Sequence, residues 1–501
     1  MKVNRITTIS GLFAVALLLG ACSSVSGPQT LSVGESTGSI IYGVGAEFDP
    51  HFLSQNVVKD DESKAEDWDS VIVRRLDMMK PSMFRAMVLT PWYEPENDND
   101  DPDVIDWSRF TFDTPEMQSL YAELDYAETR GVKVILTLWG ASIGNWLAGE
   151  NNGNWVVAPG DYEEWAENFS ALIQYLIGEK HYTCIKQITP VNEPDWEYFM
   201  DGKAGPSSEY IKMCRILDER FRSDGIRDKV AFNLSDNSDG GTGTHRYLRD
   251  CVKEMAGITD IFNSHTYIFG YESPNKTVLK WEKKNAALAA KAGKGHIVGE
   301  FGGNQCTGAA RQRDIDWYDR GVLMVRTAVN ALNAGAVGVS YWNLIDQNYN
   351  KNGDYESMQQ LGLWRYVKSA YSTEPYYDSI PCDYSLRPQY YSYSLLTQFI
   401  RPGARVFPLD AKDQYIAATA VLNDDGTWVY VIANQTDSDR SYVIANDSVV
   451  GDFSLYRYTE NELPSDDSML PVVQTMTAGT DGLSVESPAK SVVVLVMNPH
   501  D

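Results

Sequence analysis

Residues 115–139, PEMQSLYAELDYAETRGVKVILTLW, contain the repeating unit that decides the fold. Residues 115–130 place apolar side chains three and four positions apart, which is the period of an amphipathic helix. The run VKVILTLW that follows is short, apolar and rich in strand-forming residues. The stretch therefore predicts one helix followed by one buried strand.

The same rhythm extends from about residue 40 to residue 400. Segments with helical periodicity, among them 161–179 and 313–334, alternate with further short apolar runs. Those runs are SIIYGVGAEF, SMFRAMVL, IKQITPV, KVAFNLS, DIFNSHTY, HIVGEF and AVGVSYWNL. Eight strands alternating with helices predict an α/β fold of the (β/α)8 TIM barrel type. An open doubly wound sheet is the alternative, but GVGAEF lacks the third glycine of its phosphate loop.

The character of the sequence changes after the predicted eighth helix, in QYYSYSLLTQFIRPGARVF. From about residue 404 the runs YIAATAVLN, TWVYVIANQ, DFSLYRYT and SVVVLVMNP are separated by turns such as NDDGT, and they predict a C-terminal antiparallel β-sandwich domain. We therefore expect a signal peptide at 1–21, a tether at 22–39 that is also a candidate sandwich strand, a catalytic barrel at 40–402 and the β-sandwich at 403–501.

The N-terminus resembles a bacterial lipoprotein signal peptide. Lys2 and Arg5 precede an apolar stretch from Leu12 to Leu19, and LGAC ends at Cys22. The resemblance implies cleavage before Cys22 and lipidation of its thiol, whereas an ordinary secretory peptide is the alternative. The apolar stretch is shorter than the roughly 20 residues of a membrane span. We expect an exported protein, attached to a bacterial membrane only through this lipid.

The formal charge of −26, from 43 basic and 69 acidic residues, repels nucleic acid and anionic lipid. Six histidines without an HExxH motif do not predict a zinc site. The five cysteines beyond Cys22 include no CxxC pair, so we expect no disulfide framework, although a single bridge is compatible with the sequence. We expect a monomer whose partner is a neutral molecule.

Two acid-rich stretches resemble the oxygen-rich loops that bind calcium: ENDNDDPD at 96–103 and DQNYNKNGDYE at 346–356. Neither keeps the glycine position of an EF-hand loop. We therefore predict solvated loops here, with no metal site and no cofactor.

Two glutamates lie at the ends of predicted strands. Glu193 follows the fourth run in ITPVNEPDWE, and Glu300 ends the seventh in GHIVGEFGG. In a barrel, the carboxyl ends of the strands form the active-site mouth. Two carboxylates that flank a glycosidic bond are the minimum machinery for its hydrolysis. The alternative is that Glu193 caps a helix and Glu300 is a solvated loop residue.

With NEP on strand four and GEFG on strand seven, the sequence resembles the clan A retaining glycoside hydrolases, most visibly families 5 and 30. The resemblance implies that Glu193 is the acid/base, Glu300 the nucleophile and Asn192 an amide that binds the sugar 2-hydroxyl. It also implies that Arg85, in FRAMV, keeps the nucleophile ionised. The tail QFIRPGARV followed by a β-sandwich looks more like family 30.

Further matches follow in the same strand order. SHTY places His265 and Tyr267 at strand six, where the clan's tyrosine donates a hydrogen bond to the nucleophile. SYWN places Trp342 as the apolar floor under the sugar. LTLWG departs from the His-containing tip of family 5 and places Trp139 there. Arg85, His265, Tyr267 and Trp342 also have an alternative explanation as core residues.

Aromatic residues recur in the predicted loops after strands, where sugar rings would pack on them: Trp92, Tyr93, Trp139, Trp146, Trp155, Trp196, Tyr198 and Trp364. The alternative, for about half of them, is packing in the interior of the loops. Trp196 is the predicted contact beside Glu193. The sequence thus predicts a retaining glycosidase acting on a neutral β-linked glycan, such as an endo-β-glucanase. A non-catalytic glycan-binding lipoprotein is the alternative. A barrel lyase or isomerase would need a metal cluster or a strand-end lysine, which the runs do not offer.

Overall fold

The computed structural model describes most of the chain after residue 26. The described residues are 27–50, 68–139, 141–142, 145–149, 156–195, 198–200, 203–238, 245–268, 271–303, 313–348, 358–359, 361–365, 384–446 and 449–499. The signal peptide and Cys22, which the sequence predicts, lie outside this part of the chain.

A closed barrel of eight parallel strands forms the larger domain. In chain order the strands are β1 (Gly43–Glu47), β2 (Met83–Val88), β3 (Lys133–Leu138), β4 (Ile185–Thr189), β5 (Ala231–Asn237), β6 (Ile261–Ile268), β7 (His296–Gly303) and β8 (Gly338–Tyr341). The barrel closes where β8 pairs with β1, with Gly338 opposite Gly43. The predicted barrel is confirmed, and the open-sheet alternative is excluded.

Each strand is followed by a helix on the outside of the barrel. The helices are α1 (Arg74–Met79), α2 (Pro115–Arg130), α3 (Tyr162–Gln174), α4 (Ser207–Ser223), α5 (Arg246–Met255), α6 (Asn275–Lys291), α7 (Tyr318–Asn333) and α8 (Pro388–Phe399). In α2, Thr114 caps the first turn by accepting from the Met117 N–H, and Gly131 ends the helix at φ 68°. Within the described residues, no helix has the length and apolarity to cross a bilayer.

The C-terminal domain is a sandwich of two sheets. Its strands are β9 (Arg405–Leu409), β10 (Ile416–Leu422), β11 (Trp428–Asn434), β12 (Arg440–Ala445), β13 (Gly451–Tyr458), β14 (Val472–Ala478), β15 (Leu483–Ser487) and β16 (Ser491–Met497). Six form one sheet in the order β9-β10-β11-β16-β13-β14. The other sheet joins β12 and β15 to a short strand, Gln29–Ser32, which runs parallel to β12.

The two domains pack against each other through α7. The rings of Tyr318 and Tyr458 stack with centroids 4.6 Å apart, and Asn333 Nδ2 donates to the Ala418 carbonyl at 2.9 Å. The Tyr318 hydroxyl also donates to the Lys490 carbonyl at 2.5 Å. These buried contacts brace the barrel from one side and leave the carboxyl ends of its strands to form the site.

Candidate active site

All eight strands contribute a side chain to one cluster at the carboxyl end of the barrel. In strand order these residues are Glu47, Arg85, Trp139, Glu193, Asp236, His265 with Tyr267, Glu300 and Trp342. Neighbouring strands hold them in register, since Glu47 lies opposite Arg85 and His265 lies opposite Glu300. The ends of parallel strands therefore bring together residues that are far apart in the sequence.

Glu193 lies beyond the end of β4 in a left-handed backbone conformation. Its φ is 44°, and its N–H donates to the Asp236 carbonyl on the next strand at 3.1 Å. A non-glycine residue in this region costs about 1–3 kcal/mol, and such strain persists where the surroundings impose it, often at functional sites. The side chain of Glu193 is 25% exposed, compared with 6% for Glu300. Glu193 is thus the more accessible of the two carboxylates.

Glu300 is held by two donors at the base of the site. Arg85 Nη1 donates to its Oε1 at 2.8 Å, and the Tyr267 hydroxyl donates to its Oε2 at 2.6 Å. Burial raises the pKa of the Glu300 carboxyl above its ordinary value, while the charges of His265 and Arg85 oppose that rise. The geometry fixes both oxygens of Glu300 and leaves its charge dependent on its cationic neighbours.

His265 lies between the two glutamates. Its Nδ1 is 2.7 Å from Glu193 Oε1 and 3.3 Å from Glu300 Oε2, and its Nε2 is 3.0 Å from Asp236 Oδ1. Burial lowers the pKa of the imidazole, but the charges of Glu300 and Asp236 outweigh burial and place that pKa well above its usual range. His265 therefore carries a proton that faces both glutamates.

Arg85 is fully buried and links four acceptors. Nη1 binds Glu47 Oε2 at 2.9 Å as well as Glu300, and Nη2 binds Asp236 Oδ2 at 2.7 Å and Asn192 Oδ1 at 2.8 Å. Because the Asn192 oxygen accepts from Arg85, its N–H groups remain available to donate to a ligand. One guanidinium thus orients the amide beside Glu193 and the carboxylate of Glu300.

The predicted aromatic contacts divide into two groups. Trp139, Tyr267 and Trp342 pack together in one apolar cluster with Met87, Ile315 and Leu361. This cluster forms a wall beside Glu300, because the Tyr267 hydroxyl is bonded to that residue. Trp196 and Trp155 lie outside the described residues.

Two other aromatic predictions are wrong as sugar contacts. Tyr93 and Trp364 are fully buried, which leaves no side-chain surface for a sugar. Tyr93 donates to Asn168 Oδ1 at 2.6 Å, and Trp364 packs edge-on against Tyr390 at 6.0 Å. These side chains form the interior of the loops, because long loops need apolar cores of their own.

The sequence reasoning missed Glu47 and Asp236. Both are fully buried carboxylates at the ends of apolar runs, GVGAEF and KVAFNLS with its extension DN, so the signal that identified Glu193 also marks them. The charges of Arg85 and His265 outweigh burial and lower the pKa of Asp236. For Glu47, burial dominates, and its pKa is well above the usual range. Asp236 thus provides the charge that holds both Arg85 and His265.

Comparison with known proteins identifies the architecture. No protein-family model and no curated protein matches the sequence. Among solved structures, the catalytic domain of a family 30 xylanase from Talaromyces cellulolyticus has a TM-score of 0.66 at 15% identity, over 94% of this chain and 100% of that one. A family 30 subfamily 8 xylanase from Clostridium acetobutylicum has a TM-score of 0.61 at 14% identity, over the same shares.

An endo-β-1,6-glucanase is similar to the same extent, with a TM-score of 0.61 and 15% identity over 94% of each chain. These identities are low, so the comparison concerns the fold rather than the activity. The barrel together with its sandwich is matched over nearly the whole chain. The predicted resemblance is therefore confirmed at this level: the protein has the fold of the family 30 glycoside hydrolases.

Proposed function

We propose that the protein is a retaining glycoside hydrolase that cleaves β-linked bonds within a neutral glycan. The observation that carries this proposal is the pair of carboxylates bridged by His265. A carboxylate oxygen of Glu193 and one of Glu300 lie within 4.8 Å of each other. This proximity supports the separation of about 5–5.5 Å between the carboxyl groups of retaining enzymes over the roughly 6.5–9.5 Å of inverting enzymes, which must admit a water molecule.

In the proposed first step, Glu300 attacks the anomeric carbon while Glu193 protonates the leaving glycosidic oxygen. The bond from the anomeric carbon to that oxygen breaks, and an ester bond to Glu300 forms. Arg85 and Tyr267 hold the two Glu300 oxygens, so the nucleophile is oriented before the substrate arrives. In the second step Glu193 takes a proton from water, which attacks the same carbon and releases Glu300.

The proton for the first step would come from the pair formed by Glu193 and His265. Their 2.7 Å contact lets one proton occupy either His265 Nδ1 or Glu193 Oε1. Transfer to Glu193 leaves a neutral imidazole, which still accepts from the new acid. Asp236 holds the other ring nitrogen and keeps the imidazole in this orientation. The three residues Glu193, His265 and Glu300 are also close enough to ligate a metal, but Arg85 already neutralises Glu300, which favours proton chemistry.

For the substrate we propose an internal bond of a neutral β-glycan such as a β-glucan. The N–H groups of Asn192 can donate to a sugar hydroxyl, and the wall of Trp139 and Trp342 offers apolar contact to the ring. The negative net charge also disfavours acidic polymers. We further propose that the protein acts as an exported monomer, anchored through a lipid on Cys22.

The proposal is tested with a panel of neutral glycans and the protein from residue 28 onward, beside Glu193→Gln and Glu300→Gln. We expect one class of β-glycan to be cut and both variants to lose nearly all turnover. Cleavage that survives either substitution contradicts the role of that residue. If no glycan is cut but one binds equally to all three proteins, a non-catalytic glycan-binding function replaces the enzyme.

A further inference from the structure

A second group of carboxylates lies between the loop after β2 and the first turns of α3. Glu94 and Asp98 come from the loop, and Glu164 and Glu167 come from the helix. All four side chains are buried, and one oxygen each from Glu94, Asp98 and Glu167 lie within 4.8 Å of one another. The group shares no residue with the candidate active site.

The Glu167 carboxylate points into this group without a hydrogen-bond partner. Glu167 is 0% exposed, and neither of its oxygens is hydrogen-bonded to any part of the chain that the structure describes. Asp98 Oδ1 and Glu164 Oε2 are likewise buried without such a bond. A buried carboxylate without a partner is costly, so these oxygens require either a proton or a cation.

Other contacts fix the positions of the surrounding oxygens. Glu94 Oε1 accepts from the Asp98 N–H at 3.1 Å, and Glu94 Oε2 accepts from Asn168 Nδ2 at 2.7 Å. Asp98 Oδ2 accepts from the Asp106 N–H at 2.5 Å. Each of these oxygens keeps a further lone pair. The loop and the helix therefore hold the carboxylates in place through bonds that do not consume their capacity to bind a cation.

Charge compensation from the protein is small. The charge of Arg220 acts on Glu167, but Arg220 Nε binds Asp224 at 2.6 Å and its Nη1 donates to the Pro102 carbonyl. The group must therefore take up either protons or a cation as it is buried.

We propose that Glu94, Asp98 and Glu167 form a calcium site. All three supply carboxylate oxygen, the donor that hard cations prefer, two of them from a loop and one from a helix. Ca²⁺ accepts six to eight oxygens in irregular geometry, whereas Mg²⁺ demands near-ideal octahedral coordination. The solvated loop predicted for residues 96–103 is thus corrected at Asp98, which is buried with its carboxylate turned inward.

The site would also support the mouth of the barrel. Trp146, in the loop after β3, donates its indole N–H to the Glu94 carbonyl at 2.9 Å. Calcium would fix the loop after β2 on α3 and, through Glu94, the loop that carries Trp146. The ion would be structural, because it touches none of the residues proposed for catalysis.

The test is a calcium titration of the EGTA-stripped protein by calorimetry, beside Glu167→Gln and a control, Glu163→Gln. Glu163 is exposed on the same turn of α3. We expect one equivalent of calcium to bind the parent protein and the control, with a rise in melting temperature. Glu167→Gln should bind roughly 10- to 100-fold more weakly or not at all, since the loss of a ligand costs at least as much as the loss of an outer-shell partner.

A folding defect should not cause the weaker calcium binding expected of Glu167→Gln. The uncharged glutamine removes the repulsion between residue 167 and the neighbouring carboxylates. In EGTA, Glu167→Gln should melt no lower than the parent protein, and only the parent should gain stability from calcium. The proposal is overturned if the parent binds no calcium, if Glu167→Gln binds it equally well, or if Mg²⁺ binds more tightly than Ca²⁺.

Discussion

His265 Nδ1 lies 2.7 Å from Glu193 Oε1 and 3.3 Å from Glu300 Oε2, so a single ring nitrogen contacts both carboxylates. The contact makes the protonation of the two glutamates interdependent, and the site titrates as a unit rather than as separate groups. Asp236 extends the unit, because it binds His265 on one side and Arg85 on the other. The pH dependence of kcat/KM should therefore depend on all four residues of the unit.

Replacement of His265 by glutamine should move the basic limb of the pH profile of kcat/KM to lower pH. The pKa of His265 is well above its usual range, so the pair with Glu193 keeps its proton as the pH rises. Without the imidazole, the site loses the group that stores this proton at high pH. We expect a drop of roughly 100-fold in kcat/KM at alkaline pH, the lower end of the range for general acid catalysis. A basic limb that does not move would show that His265 is not part of the proton store.

The substitution Tyr267→Phe should change the acidic limb of the pH profile of kcat/KM, rather than the basic limb. The hydroxyl donates to Glu300 at 2.6 Å, and this bond lowers the pKa of the nucleophile against the effect of burial. Its removal should raise the pKa of Glu300 and move the acidic limb of kcat/KM to higher pH, with kcat reduced about 10-fold. The ring remains, so KM should change little. A large rise in KM with an unchanged acidic limb would instead assign Tyr267 to substrate binding.

The barrel was predictable from sequence because its signals are local and repeated. The predicted helix at residues 115–130 has the observed bounds Pro115–Arg130, and each apolar run contains a strand. Glu193 and Glu300 were predictable because the carboxyl ends of barrel strands form the active site, so a carboxylate at such an end is a candidate catalytic residue. Glu47 and Asp236 occupy the same kind of strand-end position.

The rest of the site depends on information that no short stretch contains. Whether Trp364 faces a sugar or packs on Tyr390 is decided by how a long loop folds on itself. Likewise, Asp98 belongs to an acid-rich stretch that looks solvated, and α3 brings Glu167 against it. Burial of charge is a tertiary property, and composition alone does not reveal it.

Arg85→Met should destabilise the protein strongly because it leaves several buried acceptors without their cation. Arg85 binds Glu47, Asp236 and Glu300, and its own side chain is fully buried. Loss of one member of a buried ion pair costs about 3–5 kcal/mol in the free energy of unfolding. The matched control is Arg130→Met, because the Arg130 pair with Asp77 is nearly half exposed and should contribute little to stability. Urea denaturation of the two variants measures the difference, and equal losses would contradict the network.

The separation of the carboxylates predicts the stereochemistry of the product. Oxygens of Glu193 and Glu300 lie within 4.8 Å of each other, which fits the close carboxyl pair of a retaining enzyme better than the wider pair of an inverting one. In the proposed retaining mechanism, two inversions at the anomeric carbon restore the original configuration. Proton NMR of the first minutes of cleavage should show the β-anomer of the new reducing end, followed by slow mutarotation. Early appearance of the α-anomer would instead require a single displacement by water, with Glu300 as a base rather than a nucleophile.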